Sequence, residues 1–387
     1  MKSLSTRQSI IILTFAILST KIQRFPALLS QEFGNMGWLF VLLGLVIDLP
    51  FVLIALRISS LTKGKTVFQA LSLRCGKPIA IAFAIIGSLF LVIKMGAPYK
   101  GTHEFFISAI FDNLNWEWFS LLFVVFLIVV AAGELNRIGR TAEILWLFAI
   151  IGFVGMTVLG SLTASFSNLL PISNIAAKSL FKGIKIFNQW TTDFVIILFF
   201  IGRVKENKFK TAIISTYVIT LLFSCFFCTI FYANFSHLST IPDVAISAVI
   251  EFSLLGVSLG RIDWFLALLS MSSSVLTLGF FACAATECFC DATTLPKKYV
   301  AIALGSICYF LDTKIFTSPA IFVNYYTNYI TYFVLATNNV VIPLIWLLLE
   351  LTKNKTTSKC VLYRVHKKSL QELRLKMWTS LKRRRKC

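Results

Sequence analysis

The chain has 387 residues, of which 57% are hydrophobic and only 14% charged, and its mean hydropathy is +0.81. A soluble domain carries about a quarter charged residues, so the composition excludes a protein whose surface is mainly exposed to water. The net charge of +20 is concentrated in residues 353–387, which hold thirteen Lys or Arg against one acid, Glu372. This tail follows an apolar segment directly, which favours contact with anionic lipid headgroups over nucleic-acid binding. A solvated positive anchor without a specific partner is the alternative.

Ten segments are predicted to cross the membrane as helices. A bilayer core about 30 Å thick needs roughly 20 apolar residues in a helix, and the chain offers ten segments near that length. The first resembles a signal peptide, but Lys21 and Arg24 interrupt it and favour an uncleaved span. Spans one to ten are predicted at 9–29, 38–56, 79–98, 118–132, 144–163, 188–202, 211–233, 264–285, 299–313 and 322–350.

The placement of Lys and Arg predicts that both chain ends lie in the cytoplasm. With the N-terminus inside, the inner segments carry 28 Lys or Arg and the outer segments, to which Lys94 and Lys100 are assigned, carry seven. Positive residues accumulate on the cytoplasmic side of membrane proteins. Two further apolar segments are too weak to span. Residues 66–73 are predicted to lie along the inner surface, and residues 245–259 to form an outer interfacial or re-entrant helix.

The chain contains none of the sequence patterns of common enzymes. There is no nucleophile elbow, zinc-protease motif, phosphate-binding loop or dinucleotide fingerprint. Cys288 and Cys290 fall in a segment predicted to be a cytoplasmic loop, without an accompanying His or second Cys-x-x-Cys. We therefore predict no enzymatic activity, no cofactor, no metal site and no disulfide.

Polar residues interrupt two predicted spans at matching positions of two five-span halves. In span one they are Ser19, Thr20 and Lys21, and in span six Gln189 to Asp193 include Thr191, Thr192 and Asp193. Interrupted segments at corresponding positions of two halves point to a transporter binding site. Two alternatives stay open: span one ends at Leu18 and residues 19–37 form an outer loop, or span six begins with an ordinary helix cap.

Two other places carry polar groups inside the membrane. Span eight holds Ser272 and Ser273 among several hydroxyl side chains, which suit either ion coordination or close helix packing. Asp48 in span two is a lone acid that needs a partner or a cavity.

Five short motifs follow one another along the chain: Leu4-Ser5-Thr6-Arg7-Gln8, Gly34-Asn35-Met36-Gly37-Trp38, Lys63-Gly64-Lys65-Thr66-Val67, Leu169-Leu170-Pro171 and Arg261-Ile262-Asp263. In this order they resemble the patterns Ile-Ser-x-x-Gln, Gly-x-x-x-Trp, Pro-Gly-Lys-Thr-Leu, Leu-Leu-Pro and Arg-x-Glu. These patterns are those of the spore germination permease-like family, which contains the B subunits of germinant receptors of the GerA type.

The resemblance implies the amino acid–polyamine–organocation superfamily, with a five-plus-five inverted repeat and a site between broken spans one and six. It also implies a receptor for small nutrients such as amino acids, assembled with an A-type membrane subunit and a C-type lipoprotein in the cytoplasmic membrane of a spore-forming bacterium. The family usually carries glycines where this chain has Ser19-Thr20-Lys21, and Gly-Glu where it has Thr192-Asp193. Those differences leave an ordinary permease or a non-transporting scaffold subunit as alternatives.

The expected fold is therefore all-α and polytopic, with about ten transmembrane helices in a LeuT-like arrangement. Residues 1–352 are expected to form the permease-like membrane domain and residues 353–387 a basic cytoplasmic tail. We expect Ser19, Thr20, Lys21, Thr191, Thr192 and Asp193 to bind the ligand. Asp48, Ser272 and Ser273 are expected either to bind an ion or to serve helix packing.

Overall fold

The structure is a computed structural model. It describes residues 4–23, 25–62, 64–109, 116–170, 182–183, 186, 194–204, 209–235, 238–239, 245, 248–249, 262–293 and 295–352. Across these ranges the regular structure is helical, apart from one parallel bridge between Leu4 and Val204. The fold is therefore that of an all-α polytopic membrane protein, as predicted.

Every predicted span coincides with a helix or part of one. Among the described residues, six helices are long and apolar enough to cross a bilayer, and a seventh, Glu117–Ala132, is apolar but shorter. The helices of spans one to ten are Thr6–Lys21 with Phe25–Phe33, Gly37–Thr62, Lys77–Ala109, Trp116–Ala132, Leu135–Thr163, Val195–Phe200, Phe209–Phe235, Ile262–Ala292, Lys297–Phe310, and the three segments Pro319–Tyr325, Thr331–Ala336 and Ile342–Leu351.

Span one is a broken helix. Its first half starts with a capping box, in which Ser5 accepts from the backbone N–H of Gln8 while the Gln8 side chain accepts from that of Ser5. The helix ends after Lys21, and a second helix starts at Phe25, with Pro26 in its first turn, where a proline is tolerated. The second half is largely buried. The interpretation of residues 19–37 as an outer loop is therefore wrong, and the break lies just after Ser19-Thr20-Lys21.

Two helices extend well beyond their predicted ends. Span three continues to Ala109, which places Lys100 inside the helix, and the side chains of both Lys94 and Lys100 are buried. Span eight continues to Ala292, so Cys288 and Cys290 belong to a helix and not to the predicted loop. Counting apolar residues misses such extensions, because a helix can continue through charged residues when neighbouring helices supply their partners.

Spans nine and ten contain three single π-helical turns, at Leu311–Ile315, Tyr326–Ile330 and Thr337–Val341. In a π turn the backbone bonds skip one residue further than in an α-helix, so the side-chain register shifts at that point. Thr331 stabilises the second turn by donating to the carbonyl of Tyr326, five residues back, at 3.0 Å. The first turn carries Asp312, which is buried.

The spans pack as two groups, which we call the first group and the second group. In the first group, spans one, two and seven pack together, and span six stacks Phe194 on Phe51 of span two. In the second group, span eight packs along spans three and five while span nine packs along span four. Span one also packs against span eight, which makes this contact the main junction between the groups.

Of the two segments predicted as surface helices, one is a helix in the structure and the other is only partly described. Residues Val67–Cys75 form a helix capped by Thr66, whose hydroxyl accepts from the backbone of Gln69. Of the segment 245–259 the structure describes residues 245, 248 and 249, and both Ala245 and Val249 are buried. Val249 lies so close to Gly160 of span five that a side chain on that glycine would collide with it.

Candidate functional site

The break in span one is a buried polar site at the junction of the two groups. Gln23 lies in the break and is buried, and its amide donates to the hydroxyl of Ser274 in span eight at 2.7 Å. The Gln23 Oε1 atom lies where a side chain on Gly101 of span three would have to be. A glutamine is therefore held between spans three and eight by a close approach that only glycine permits.

The backbone of the break is satisfied by a distant part of the chain. The carbonyl of Gln23 accepts from the backbone N–H of Ala245 at 2.9 Å. The carbonyl of Pro26 accepts from the hydroxyl of Tyr232 in span seven at 2.6 Å. A half-helix in the membrane must find such partners, because lipid offers none. The tyrosine reaches its acceptor by passing directly over Gly37, where a Cβ atom would lie 2.2 Å from the hydroxyl oxygen.

The three predicted site residues of span one lie at the C-terminal end of its first half-helix. Ser19 donates to the carbonyl of Ala16 and to the hydroxyl of Thr277 in span eight, both at 3.2 Å. Thr20 bonds back to carbonyls of its own helix. Lys21 is the last helical residue and its exposed fraction is 0%. A helix C-terminus favours a positive charge at this position.

Asp48 has the partner that its position in span two requires. The hydroxyl of Tyr217 in span seven donates to Asp48 Oδ2 at 2.7 Å, and both residues are buried. This bond ties spans two and seven within the first group, as the Tyr232 bond ties spans seven and one.

The remaining predicted site residues are only partly described. Thr191, Thr192 and Asp193 lie outside the described residues, so their roles stay predictions. The helix that follows them, Val195–Phe200, is buried throughout. In span eight, Ser272 donates to the carbonyl of Leu269 at 2.6 Å, and the carbonyl of the buried Ser273 accepts from Thr277 at 2.7 Å.

A buried ion cluster at the far end of spans three, four and nine was missed by the sequence analysis. We call it the outer cluster, after its predicted side. Lys100 forms an ion pair with Asp312 and also donates to the carbonyl of Phe316 at 2.7 Å. Ser120 and Tyr99 both donate to the Asp312 carboxylate. The signal was present in the sequence: Asp312 is an acid inside a predicted span, and such residues need a partner.

A second cluster, the inner cluster, lies at the opposite end and joins span six to spans eight and nine. Arg203 Nη2 lies 2.6 Å from Asp291 Oδ2, and Arg203 Nε lies 3.0 Å from Glu287 Oε2. Lys297 Nζ lies 3.0 Å from Glu287 Oε1. The backbone carbonyl of Arg203 accepts from the N–H of Leu4 at 2.8 Å, which brings the N-terminus to the same place.

The inner cluster borders a cavity of about 470 Å³. Its walls come from the N-terminus, the connection between spans four and five, the end of span six and the ends of spans eight and nine. Next to it, Gly202 approaches the backbone of Lys65 and Thr66 so closely that no side chain would fit. The glycine also has φ +75°, a backbone conformation that other residues rarely adopt. In the described ranges, no group of three or more His, Cys, Asp or Glu side chains could hold a metal ion.

Comparison with known protein families identifies the family of this chain. The family model described as "Spore germination protein" matches residues 3–321. The chain belongs to this family. Three of the five motifs that suggested the family make structural ties: Leu4 bonds to Arg203, Asn35 donates to the carbonyl of Asn168, and Thr66 interacts with Asp291. The family assignment also agrees with the prediction that the chain is not an enzyme.

The fold of this spore germination protein is shared with a solved structure of distant sequence. The crystal structure of MhsT in complex with L-phenylalanine superposes with a TM-score of 0.57 at 13% sequence identity, covering 91% of this chain and 100% of that one. At this identity the similarity establishes the LeuT-like fold alone. No curated protein matches the chain significantly in sequence.

Proposed function

We propose that this protein is a membrane subunit of a spore germinant receptor that binds a small nutrient such as an amino acid at the break of span one. The observation that carries the proposal is the buried break itself, whose polar groups bridge the two packing groups. A ligand that competes for these contacts changes how span one is held against span eight. Binding is thereby linked to a change in helix packing, which is what a sensor requires.

The chemistry of the break suits an amino-acid ligand. Lys21 supplies a positive charge for a carboxylate, while the end of the half-helix presents carbonyl oxygens to an ammonium group. The related fold of MhsT, crystallised with L-phenylalanine, supports this ligand class. We further propose the cytoplasmic membrane of a spore-forming bacterium as the location, with an A-type membrane subunit and a C-type lipoprotein as partners, because the family's germinant receptors have that composition.

A germination assay with matched serine variants tests the site. Spores lacking the gene are complemented with wild type, Ser274→Ala or Ser88→Ala, and germination is followed with each of the twenty amino acids. Ser274 accepts from Gln23 at the break, whereas Ser88 is an equally buried serine in span three that donates to Ala285 of span eight at 2.9 Å. Losing one hydrogen bond is worth about 0.5–1.5 kcal/mol, so Ser274→Ala should shift the half-maximal amino-acid concentration roughly two- to tenfold.

The outcomes separate the candidate functions. Equal responses from Ser274→Ala and Ser88→Ala, with equal protein in the spore membrane, would contradict a site at the break. Accumulation of labelled amino acids by proteoliposomes of the purified protein would favour a permease. Receptor assembly without any amino-acid dependence in wild type would favour a scaffold subunit.

The opposite wall of the site remains a hypothesis that a double-mutant cycle tests. If spans one and six face each other at their breaks, Lys21 and Asp193 form a pair, with Thr191 and Thr192 supplying hydroxyls. Lys21→Met and Asp193→Asn should then each impair the response, and the double variant should lose less than the sum of the two. Additive losses would place the two residues in separate environments.

A further inference from the structure

A groove between spans four, five and eight is a second candidate binding site, distinct from the break. Its volume is about 490 Å³. The groove lies on the outside of the helix bundle, where Val129 is 67% and Phe126 41% exposed. The neighbouring surface of spans four and five is also apolar and exposed, including Leu122, Ile144 and Phe148. The groove therefore opens sideways into the lipid.

The wall of the groove is apolar along most of its length. Val130, Ile138, Leu145, Val275 and Leu276 line it. The two hydroxyl groups in the wall are already satisfied by their own helices: Ser272 donates to Leu269, and Thr141 to the carbonyl of Arg137 at 3.1 Å. From Ile138 to Leu145 the wall is about 10 Å long at 1.5 Å per residue. A groove of this length and character fits part of an acyl chain.

One end of the groove is charged. Arg137 and Glu134 line it at the start of span five, and both are exposed. In the part of the chain that the structure describes, the Arg137 guanidinium has no ion-pair partner. The positive-residue count predicts that this end faces the cytoplasm, where the headgroups of anionic lipids lie. An arginine pairs well with a phosphate, because its planar fork donates two parallel hydrogen bonds.

We propose that this groove binds an anionic phospholipid, with one acyl chain between spans four, five and eight and the headgroup phosphate on Arg137. Span eight lies between the groove and the break and contacts both. Ser272 and Val275 face the groove, while Ser274 and Thr277 contact Gln23 and Ser19. A bound lipid therefore packs against span eight, whose other face holds the break of span one.

Lipid retention by the full-length protein tests the proposal independently of any nutrient. The purified protein is titrated with phosphatidylglycerol or phosphatidylcholine, and bound lipid is counted by native mass spectrometry. Arg137→Ala should weaken phosphatidylglycerol binding roughly fivefold, the equivalent of about 1 kcal/mol for one basic residue near the headgroups. Arg140→Ala is the matched control, because Arg140 is also exposed on span five but does not line the groove.

A second pair of variants tests the apolar part. Val275→Phe fills the groove and should lower retention of phosphatidylglycerol at least threefold, as judged by the same titration. Ile302→Phe adds a ring to an exposed position of span nine, outside the groove, and should leave retention unchanged. Equal losses from Arg137→Ala and Arg140→Ala, equal binding of the two lipids by wild type, or unchanged retention in Val275→Phe would each overturn the proposal.

Discussion

The outer and inner clusters are built from the same kinds of residue but join the helices differently. The outer cluster connects spans three, four and nine, all members of the second group, and its Lys100–Asp312 pair is almost completely buried. The inner cluster connects Arg203 at the end of span six to Glu287 and Asp291 of span eight, so it crosses from the first group to the second. It also borders a cavity. Similar ion pairs can therefore join helices within one group or link one group to the other.

Breaking the outer cluster should have the largest effect on stability. Asp312→Asn leaves Lys100 buried without its ion-pair partner, and removing one member of a buried pair costs about 3–5 kcal/mol. We expect a lower unfolding temperature and poor recovery of monodisperse protein, measured by thermal-shift and size-exclusion experiments in detergent.

The double variant Lys100→Met with Asp312→Leu provides the control for that prediction. It removes both charges and should recover part of the lost stability, because no unpaired ion remains, while Tyr99 and Ser120 lose their carboxylate acceptor. A stable Asp312→Asn single variant would show that the carboxylate charge does not hold spans three and nine together.

Breaking the inner cluster should cost less stability but open the cavity. Arg203→Ala leaves Glu287 with Lys297 as its partner, and Asp291 lines the cavity, where water can solvate its carboxylate. We therefore expect a loss below the about 3–5 kcal/mol that breaking a fully buried pair costs. Cys290 lines the cavity and is half-buried, so its reaction with a maleimide reports opening. We expect faster labelling in Arg203→Ala.

Two variants test whether faster labelling of Cys290 results from opening of the cavity. Cys290→Ser supplies the background from other thiols. The charge-free double variant Lys100→Met with Asp312→Leu, labelled well below its unfolding temperature, should leave the Cys290 rate unchanged, because the outer cluster lies within one group. Equal acceleration by Arg203→Ala and this double variant would erase the distinction between the two clusters.

Within the first group, the contact of Tyr232 with Gly37 should be sensitive to one added methyl group. In Gly37→Ala the new Cβ atom would lie 2.2 Å from the tyrosine oxygen, and overpacking typically costs about 1–3 kcal/mol. Gly96→Ala is the control, because its Cβ atom would lie 3.3 Å from Phe322 and a small shift accommodates it. Equal unfolding temperatures for both variants would contradict the close packing at Gly37.

The smallest effect should come from an exposed pair on spans four and nine, two of the three spans that carry the outer cluster. Lys314 Nζ lies 3.3 Å from Glu117 Oε1, and the two side chains are 60% and 55% exposed. Exposed pairs are worth about 0.2–1 kcal/mol, so Lys314→Met should barely change the thermal-shift midpoint. A loss as large as that of Asp312→Asn would mean that burial does not set the difference between these pairs.

The sequence predicted the spans well and the partners of buried charges poorly. Runs of apolar residues locate helices because each span must satisfy its backbone internally, and Asp48 was recognised as an acid in need of a partner. Lys100 was assigned to an outer segment, because hydropathy alone cannot show that Asp312, more than two hundred residues away, neutralises it. A break at Ser19-Thr20-Lys21 was one of two interpretations of span one, because a polar run marks it locally, and the structure places the break just after these residues. The hydrogen bond from the backbone N–H of Ala245 to the carbonyl of Gln23 depends on the tertiary fold, so no local pattern indicates it.

The hydrogen bond from Ala245 to the carbonyl of Gln23 limits which sequence changes the connection between Phe235 and Ala245 tolerates. Its donor is a main-chain N–H, which every residue except proline possesses. Substitutions at position 245 that fit the space leave the bond intact, whereas an insertion or deletion between Phe235 and Ala245 displaces the donor. In descendants of this protein the number of residues in that connection should therefore vary less than their identities.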